Sequence, residues 1–186
     1  MGLSHVMVDL ETTGTSVDNS AIIQIAAVKF DYASGEVGAK VFNECLMMAP
    51  NRFWTESTRS WWGSKRAVLN SIIQRMREPG EVVREFDDWL EEDKPEGGYQ
   101  FWAKPTTFDF PLITSYFRQY DLDFLSHCHF RFARDMNSFI AGLRGSPEHV
   151  DMNHILLEHT GPAHDGLSDC IAQLRVLFAA RDGRWN

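Results

Sequence analysis

Three apolar runs in the first quarter of the chain have the length and composition of buried strands. They occupy residues 6–8, 21–30 and 37–48, and the first leads directly into polar residues from Asp9 onward. Residues 33–36, which include Gly35, are typical of a hairpin turn between the second and third runs, and Pro50 ends the third. The pattern therefore predicts an antiparallel meander of three strands.

Helical periodicity appears farther along the chain. Apolar residues from Ser64 to Met76 recur at helical spacing and predict an amphipathic helix, which Pro79-Gly80 would break. A polar, basic loop is expected before it, between the aromatic pairs of residues 53–54 and 61–62. The other predicted elements are a helix at 82–90, a strand at 99–103, a helix from Thr106-Thr107 to about Tyr120, a strand at 127–133, a helix at 136–143, a helix to about His159 and a last helix at 165–180.

This order of elements indicates one α/β domain over residues 1–186. A meander followed by alternating helices and strands is typical of a mixed sheet, with antiparallel and parallel strands, that is flanked by helices. Hydrophobic residues make up 44% of the chain, which favours a folded core, and no apolar run reaches the roughly 18 residues of a membrane span. Three scattered cysteines and no visible signal peptide favour a reducing, cytoplasmic location.

Charge is unevenly distributed along the sequence. The formal net charge of −8 argues against broad, non-specific binding to nucleic acid. Residues 52–77 nevertheless carry six basic side chains and one acid, whereas residues 78–96 carry nine acids and two bases. One face of an acidic protein is therefore expected to be locally positive.

The first strand ends in two carboxylates. Asp9 and Glu11 are two residues apart on a strand, so their side chains point to the same face. Their mutual repulsion in an apolar setting favours binding of hard divalent cations such as Mg²⁺ or Mn²⁺, which prefer oxygen ligands. An edge strand with two solvated acids remains the alternative for these two residues taken alone.

Further acids lie near the starts of two helices. Asp109 follows a hydrophobic strand, and Asp169 lies about one turn inside the last helix, five residues after His164. Asp9, Glu11, Asp109, Asp169 and His164, in this order, resemble the motifs of the DEDDh 3′→5′ exonuclease superfamily. The resemblance spans nearly the whole chain and implies a ribonuclease-H-like fold.

A narrower resemblance is visible to the subgroup that holds T-even phage exonuclease A and the mycobacterial exoribonuclease RNase AS. It is carried by residues 55–62, 108–113 and 134–136. That subgroup tends to have the motif Arg-Asp-x-Arg-Thr at the positions 134–138 of this chain. The second arginine of the motif is replaced here by Asn137, so the chain departs from the pattern at this position. The subgroup contains DNA and RNA enzymes, and the phage resemblance favours DNA slightly, in a bacterial or phage-infected host cytosol.

The resemblance implies hydrolysis with two Mg²⁺ or Mn²⁺ ions that releases nucleoside 5′-monophosphates from single-stranded DNA or RNA 3′ ends. Asp9, Glu11 and Asp169 would hold one ion, and Asp9 and Asp109 the other. His164 would act as the general base, and Thr12 would contact the terminal nucleotide. The further candidate substrate-binding residues are Trp61, Trp62, Lys65 and Arg66.

Several alternatives stay open from the sequence. Core packing explains at least one of Trp61 and Trp62 as well as base stacking does. His127 and His129 would share a strand face, which is a weak indication of zinc because no further Cys/His cluster completes the site. At the level of function, the alternatives are an exoribonuclease, a ribonuclease-H-like endonuclease and an inactive nucleic-acid-binding or regulatory protein. A homodimer is also left open.

Overall fold

A six-stranded mixed sheet forms the centre of the protein in the computed structural model, which describes residues 2–152, 155 and 164–185. The strands are β1 (His5–Thr12), β2 (Ile22–Phe30), β3 (Val37–Leu46), β4 (Met76–Arg77), β5 (Gln100–Ala103) and β6 (Ala133–Asp135). Their order is β4-β3-β2-β1-β5-β6. The first three strands pair antiparallel, whereas β4, β5 and β6 each run parallel to a neighbour. The predicted meander and mixed sheet are therefore confirmed.

Helices cover both faces of this sheet. In the described ranges they are α1 (Glu56–Gly63), α2 (Arg66–Arg75), α3 (Pro79–Glu91), α4 (Thr106–Gln119), α5 (Met136–Arg144) and α6 (Gly166–Arg181). Val6, Val8 and Leu10 of β1 pack into a core with α3 and α4, whereas Met7 packs into a second core with α5 and α6. This alternation places Asp9 and Glu11 on the α5–α6 face.

The predicted loop between the aromatic pairs is wrong, because α1 occupies most of it. Thr55 begins the helix, and its hydroxyl accepts a hydrogen bond from the backbone N–H of Thr58 at 3.3 Å. Trp62 turns into a small core with Ile23 and Cys45 of the sheet. Because the outer face of this helix is polar, the sequence shows no apolar helical pattern there. The one buried ring of Trp62 holds the helix against the sheet.

The predicted strand at 127–133 is also wrong. Short 3-10 turns at Phe124–Ser126 and Phe130–Phe132 precede β6, and of the predicted strand only Ala133 belongs to β6 and pairs with β5. The side chains of Asp123 and His129 accept hydrogen bonds from backbone N–H groups two residues ahead, which favours turns over extended chain. His127 is buried and lies 2.7 Å from Asp87, so the two histidines do not share a strand face as the zinc alternative required.

Two predicted helix boundaries need correction, and one predicted helix is not described. Pro79 does not break the preceding helix, which already ends at Arg75; it opens α3, where the Glu78 side chain caps the first turn. Pro105, rather than a threonine, is the cap residue of α4. The helix predicted to end near His159 lies outside the described residues.

No helix in the described ranges combines the length and the apolar character that crossing a lipid bilayer requires.

Two neighbouring glycines before β5 provide a test of this fold. Gly97 and Gly98 both have positive φ, at 86° and 82°, but only a Cβ at position 98 would overlap a backbone atom, the carbonyl oxygen of His127. That oxygen accepts a hydrogen bond from Tyr99 at 2.7 Å. We expect Gly97→Ala to lower the free energy of unfolding by about 1–2 kcal/mol and Gly98→Ala to lower it by more, measured by urea denaturation. Equal losses would contradict the close approach at position 98.

Candidate active site

Asp9 lies at the centre of the site, near the carboxyl end of β1. Its side chain is half-buried, and Gln173 of α6 donates a hydrogen bond from Nε2 to Asp9 Oδ1 at 2.8 Å. The other amide atom of that residue, Gln173 Oε1, is buried without a partner in the described part of the chain. Gln173 therefore fixes one oxygen of Asp9 and leaves its own carbonyl oxygen free for a ligand.

Asp109 reaches the site from the opposite face of the sheet. It lies in the first turn of α4, is buried, and its Oδ1 accepts a hydrogen bond from the backbone N–H of Leu10 at 3.2 Å. This contact fixes the Asp109 carboxylate between the positions of Asp9 and Glu11. The structure thus brings the second predicted motif to the first.

The amino-terminal end of α6 brings in the third motif. Gln24, buried in β2, donates to Asp165 Oδ1 at 3.1 Å and accepts from the backbone N–H of Gly166 at 3.2 Å. A Cβ at Gly166 would lie 3.0 Å from Ala26 Cβ, so the absence of a side chain permits this close packing. Gln24 therefore clamps the start of α6 to the sheet.

One turn farther along α6, Asp169 faces the same edge of the sheet. Its Oδ2 accepts a hydrogen bond from the backbone N–H of His164 at 2.9 Å. Ligand atoms of Glu11, His164 and Asp169 all lie within 4.8 Å of one another. The ring of Trp61 lies edge-on to that of His164, with 4.7 Å between centroids. The structure thus clusters three of the five residues predicted from the motifs, and the charges of the other two, Asp9 and Asp109, act on Glu11.

Electrostatic repulsion perturbs these acids strongly. Burial, followed by the charge of Asp9, raises the pKa of Glu11 to about 9. Burial and the charge of Asp169 raise the pKa of Asp9 to about 7. Burial also raises the pKa of Asp109 well above its usual range. A cluster of this kind favours cations, because cations restore the charged form of each acid.

The residues present fit a divalent metal centre. Glu11, Asp169 and their neighbours offer carboxylate oxygens, which Mg²⁺ and Mn²⁺ prefer, and no thiol lies among the clustered ligand atoms in the described residues. The unpartnered Gln173 Oε1 indicates that some polar group or ion belongs nearby. The buried carboxyls and this orphan oxygen are together the observation that supports the fit.

A pocket of about 350 Å³ adjoins the acids at the end of β1. Its lining includes Glu11, Thr12, Trp61, Trp62 and Phe108. Trp62 is only 1% exposed and donates from Nε1 to the carbonyl oxygen of Thr12 at 3.0 Å, so it packs and positions rather than stacks. Trp61 is 40% exposed and presents a ring to the pocket. Core packing therefore accounts for one tryptophan of the pair.

Three of the six basic side chains predicted to form a positive face, those of Arg52, Arg75 and Arg77, are engaged by other groups of the protein. Arg52 is buried and donates to the carbonyl oxygens of Val17 and Ser20. Arg77 forms ion pairs with acids of β3 and α3, and Arg75 lies 3.5 Å from Asp165. Of the six, Arg59, Lys65 and Arg66 form no ion pair in the described part of the chain.

The sequence interpretation missed the two glutamines and Phe108 as site residues. Gln24 and Gln173 are single uncharged polar residues within otherwise apolar stretches, and such a residue requires a partner when buried. This signal is clearest for Gln24, because it interrupts the apolar run 21–30, which predicts a buried strand. The structure shows that every residue of β2 is indeed buried. Phe108 had no comparable signal, because an aromatic residue beside an acid is as common in a core as in a pocket.

A family model described as the 3′-5′ exoribonuclease Rv2179c-like domain matches residues 4–180. The chain belongs to this family. The predicted membership of a 3′→5′ exonuclease family is thereby confirmed, whereas the likeness to the phage enzyme stays a prediction. No curated protein matches the sequence at a significant level.

Solved structures with the same fold include several nucleases of low sequence identity. The zinc-bound complex of E. coli exonuclease I with single-stranded DNA is 15% identical, with a TM-score of 0.70, over 100% of this chain and 42% of that one. The nuclease domain of 3′hExo, a DEDDh family member bound to rAMP, is 14% identical (TM-score 0.65), over 98% and 94%. S. pombe Pop2p with bound Mg²⁺ and Mn²⁺ is 14% identical (TM-score 0.69), over 97% and 83%. These matches confirm the ribonuclease-H-like fold, and this chain spans less than half the length of exonuclease I.

The raised pKa of Glu11 predicts how the metal-free protein responds to pH. The folded state keeps this proton up to about pH 9, whereas the unfolded chain loses it near its ordinary pKa of 4.5. The free energy of unfolding should therefore fall as pH rises between those values, and Glu11→Gln should reduce the fall. Thermal unfolding followed by circular dichroism in EDTA, at about pH 6 and about pH 8.5, measures the difference.

Glu36→Gln, which changes an exposed glutamate in the hairpin between β2 and β3, is the matched control. Added Mg²⁺ should restore the melting temperature of the wild type mainly at the higher pH. The interpretation fails if both variants and the wild type show the same dependence on pH.

Proposed function

We propose that this protein is a divalent-metal-dependent 3′→5′ exoribonuclease that releases nucleoside 5′-monophosphates from single-stranded 3′ ends. The observation that carries the proposal is the cluster of Glu11, Asp169 and His164, with the charges of Asp9 and Asp109 acting on it, beside a pocket of about 350 Å³. The description of the matching family supports RNA as the substrate, over the DNA that the phage resemblance favoured. DNA is the second candidate, because the shared fold also includes exonuclease I bound to single-stranded DNA.

The carboxylates suit two Mg²⁺ or Mn²⁺ ions. Asp9, Glu11 and Asp169 would hold one ion, and Asp9 together with Asp109 would hold the other. When bound, such ions supply a water of lowered pKa and stabilise the charge that develops on the leaving oxygen. The protein contributes position, because hydrogen bonds from Gln173 and from the Leu10 N–H fix Asp9 and Asp109.

His164 suits the role of general base. Burial lowers its pKa, the charge of Lys65 lowers it further, and Asp169 opposes both. The imidazole is therefore neutral near pH 7 and can accept a proton from the attacking water. The edge-on contact with Trp61 and the backbone hydrogen bond to Asp169 restrain the residue at the edge of the acid cluster.

The pocket suits the 3′-terminal nucleoside. Trp61 offers an exposed ring for base stacking, and Lys65 lies over that ring with its Nζ 3.9 Å from the centroid. Thr12, whose hydroxyl donates to the carbonyl oxygen of Gly14 at 2.8 Å, lines the same pocket. Paired bases cannot present their faces to such a ring, which favours single strands. Arg66, exposed at the start of α2, is the candidate for a peripheral phosphate contact.

The test of this function uses RNA and DNA oligonucleotides of the same sequence that carry a 5′ label. In Mg²⁺ or Mn²⁺ we expect progressively shorter labelled products, faster from RNA, and no digestion of a substrate with a 3′-phosphate. Asp9→Asn should reduce the rate by roughly 10³-fold or more, because it removes several kcal/mol of charge stabilisation from both ion sites. Release of the label first as a mononucleotide, or full turnover by Asp9→Asn, would contradict the proposal.

Stacking on Trp61 gives a separate prediction for binding. Trp61→Ala should weaken binding of a single-stranded oligonucleotide by roughly 1–3 kcal/mol with little change in the salt dependence. Fluorescence anisotropy in Ca²⁺ at several salt concentrations measures both quantities. Phe130→Ala is the matched control, since Phe130 is an exposed aromatic residue just before the amino end of β6, away from the acids. An equal effect of the two changes would exclude specific stacking.

A further inference from the structure

Lys104 lies at the same end of the sheet as Asp9. Strands β1 and β5 run parallel, with His5 opposite Gln100 and Met7 opposite Trp102. Strand β5 ends at Ala103, and Lys104 is the first residue of the turn that leads into α4. Lys104 therefore leaves the sheet at the carboxyl end of β5, which is the end at which Asp9 lies on β1, and its charge acts on Asp9.

The side chain of Lys104 also lies on the same face as the acids. Phe101 and Ala103 of β5 pack into the core beneath α3 and α4, whereas Trp102 packs into the core beneath α5 and α6. Lys104 lies in the turn after this strand, and it lines a cleft with Met136 and Val176 of the second core, which places it on the α5–α6 face. It lines a small cleft there with Asn137, which stands where the resembling subgroup tends to have arginine.

Lys104 differs from most lysines of the chain in its partners. Lys29 donates to the carbonyl oxygens of Trp89 and Glu92. Lys40 and Lys94 form ion pairs with acids of the α3 region. Within the described ranges, Lys104 has no ion pair or hydrogen bond of this kind, and its ammonium group acts electrostatically on Asp9.

Lys65 and Lys104 form no ion pair among the described residues, and they lie on opposite sides of the acid cluster. Lys65 lies with Trp61 on the side of β2 and β3, since the neighbouring Trp62 packs against Ile23 and Cys45. Lys104 lies on the side of β5 and β6. A strand whose terminal nucleoside fills the pocket, and whose scissile phosphate meets the acids, would continue toward Lys104.

We propose that Lys104 binds the substrate phosphate immediately upstream of the scissile phosphate. The inference rests on the proposed function, because it takes the strand direction from the pocket and the acids. The long side chain of a lysine next to Asp9 reaches beyond the acids, and a mobile ammonium group suits a phosphate as a point charge. The contact holds the second nucleotide and is independent of base identity.

A purely internal role is the competing explanation. In that case the ammonium group of Lys104 would offset the charge of Asp9 in the metal-free protein and would not touch substrate. This role would change the melting temperature in EDTA, and it would leave oligonucleotide affinity and its salt dependence unchanged. The two explanations therefore differ in a quantity that can be measured.

The experiment compares Lys104→Gln, Lys104→Arg and the control Lys94→Gln with the wild type. Affinities for single-stranded dinucleotides, trinucleotides and longer oligonucleotides are measured by fluorescence anisotropy in Ca²⁺ over a salt series. We expect Lys104→Gln to weaken binding of trinucleotides and longer strands and to flatten the log–log salt slope by about 0.7. Dinucleotides, which lack the upstream phosphate, should bind as before, Lys104→Arg should retain most of the affinity, and Lys94→Gln should change nothing.

Three results would overturn the inference. Unchanged affinity and slope, with an altered melting temperature in EDTA, would assign Lys104 to the internal role. An equal loss with dinucleotides would move the contact to the scissile phosphate, and equal effects of the Lys94 and Lys104 changes would make it non-specific. A wild type that binds oligonucleotides without cleaving them would contradict the proposed function alone, because the binding comparison needs no turnover.

Discussion

Repulsion among four carboxylates at the end of β1 is the constraint on which the rest of this structure depends. Asp9 and Glu11 come from the strand, Asp109 from one face of the sheet and Asp169 from the other. Helices on opposite faces must therefore both dock with their amino-terminal turns at one sheet edge. The buried glutamine of β2 and the close approach at Gly166 serve this docking, because they fix the start of α6 against the sheet.

The protein positions these acids without neutralising them. Among the described residues, Gln173 donates a hydrogen bond to Asp9, and backbone N–H groups donate hydrogen bonds to Asp109 and Asp169. Glu11 has no hydrogen bond in the described ranges, and burial together with the charge of Asp9 raises its pKa to about 9. Uncharged donors orient an oxygen while leaving its negative charge available. The negative charges of the acids therefore remain available to bind cations from solution.

The site was more predictable from the sequence than the parts of the fold around it. Strand alternation alone places Asp9 and Glu11 on one face, and the motif order brings Asp109 and Asp169 to the same edge. The region of α1 was mispredicted because one buried ring, Trp62, holds a helix whose first five residues are polar. Arg52 was misassigned because charge in a sequence does not reveal whether carbonyl oxygens or solvent will surround it. Contacts between distant segments decide such cases.

Charge also links metal binding to substrate binding in the proposed mechanism. Without a bound cation, those acids of the cluster that are ionised would repel the phosphates that the flanking Lys65 and Lys104 attract. Two divalent ions balance the four negative charges, after which the two lysines dominate the local field. Because the pKa values of Glu11 and Asp9 are raised, binding of these ions also displaces protons near neutral pH. Metal affinity, proton release and the attraction of a single strand are thus consequences of the same buried charges, which explains how a protein of net charge −8 can act on a polyanion.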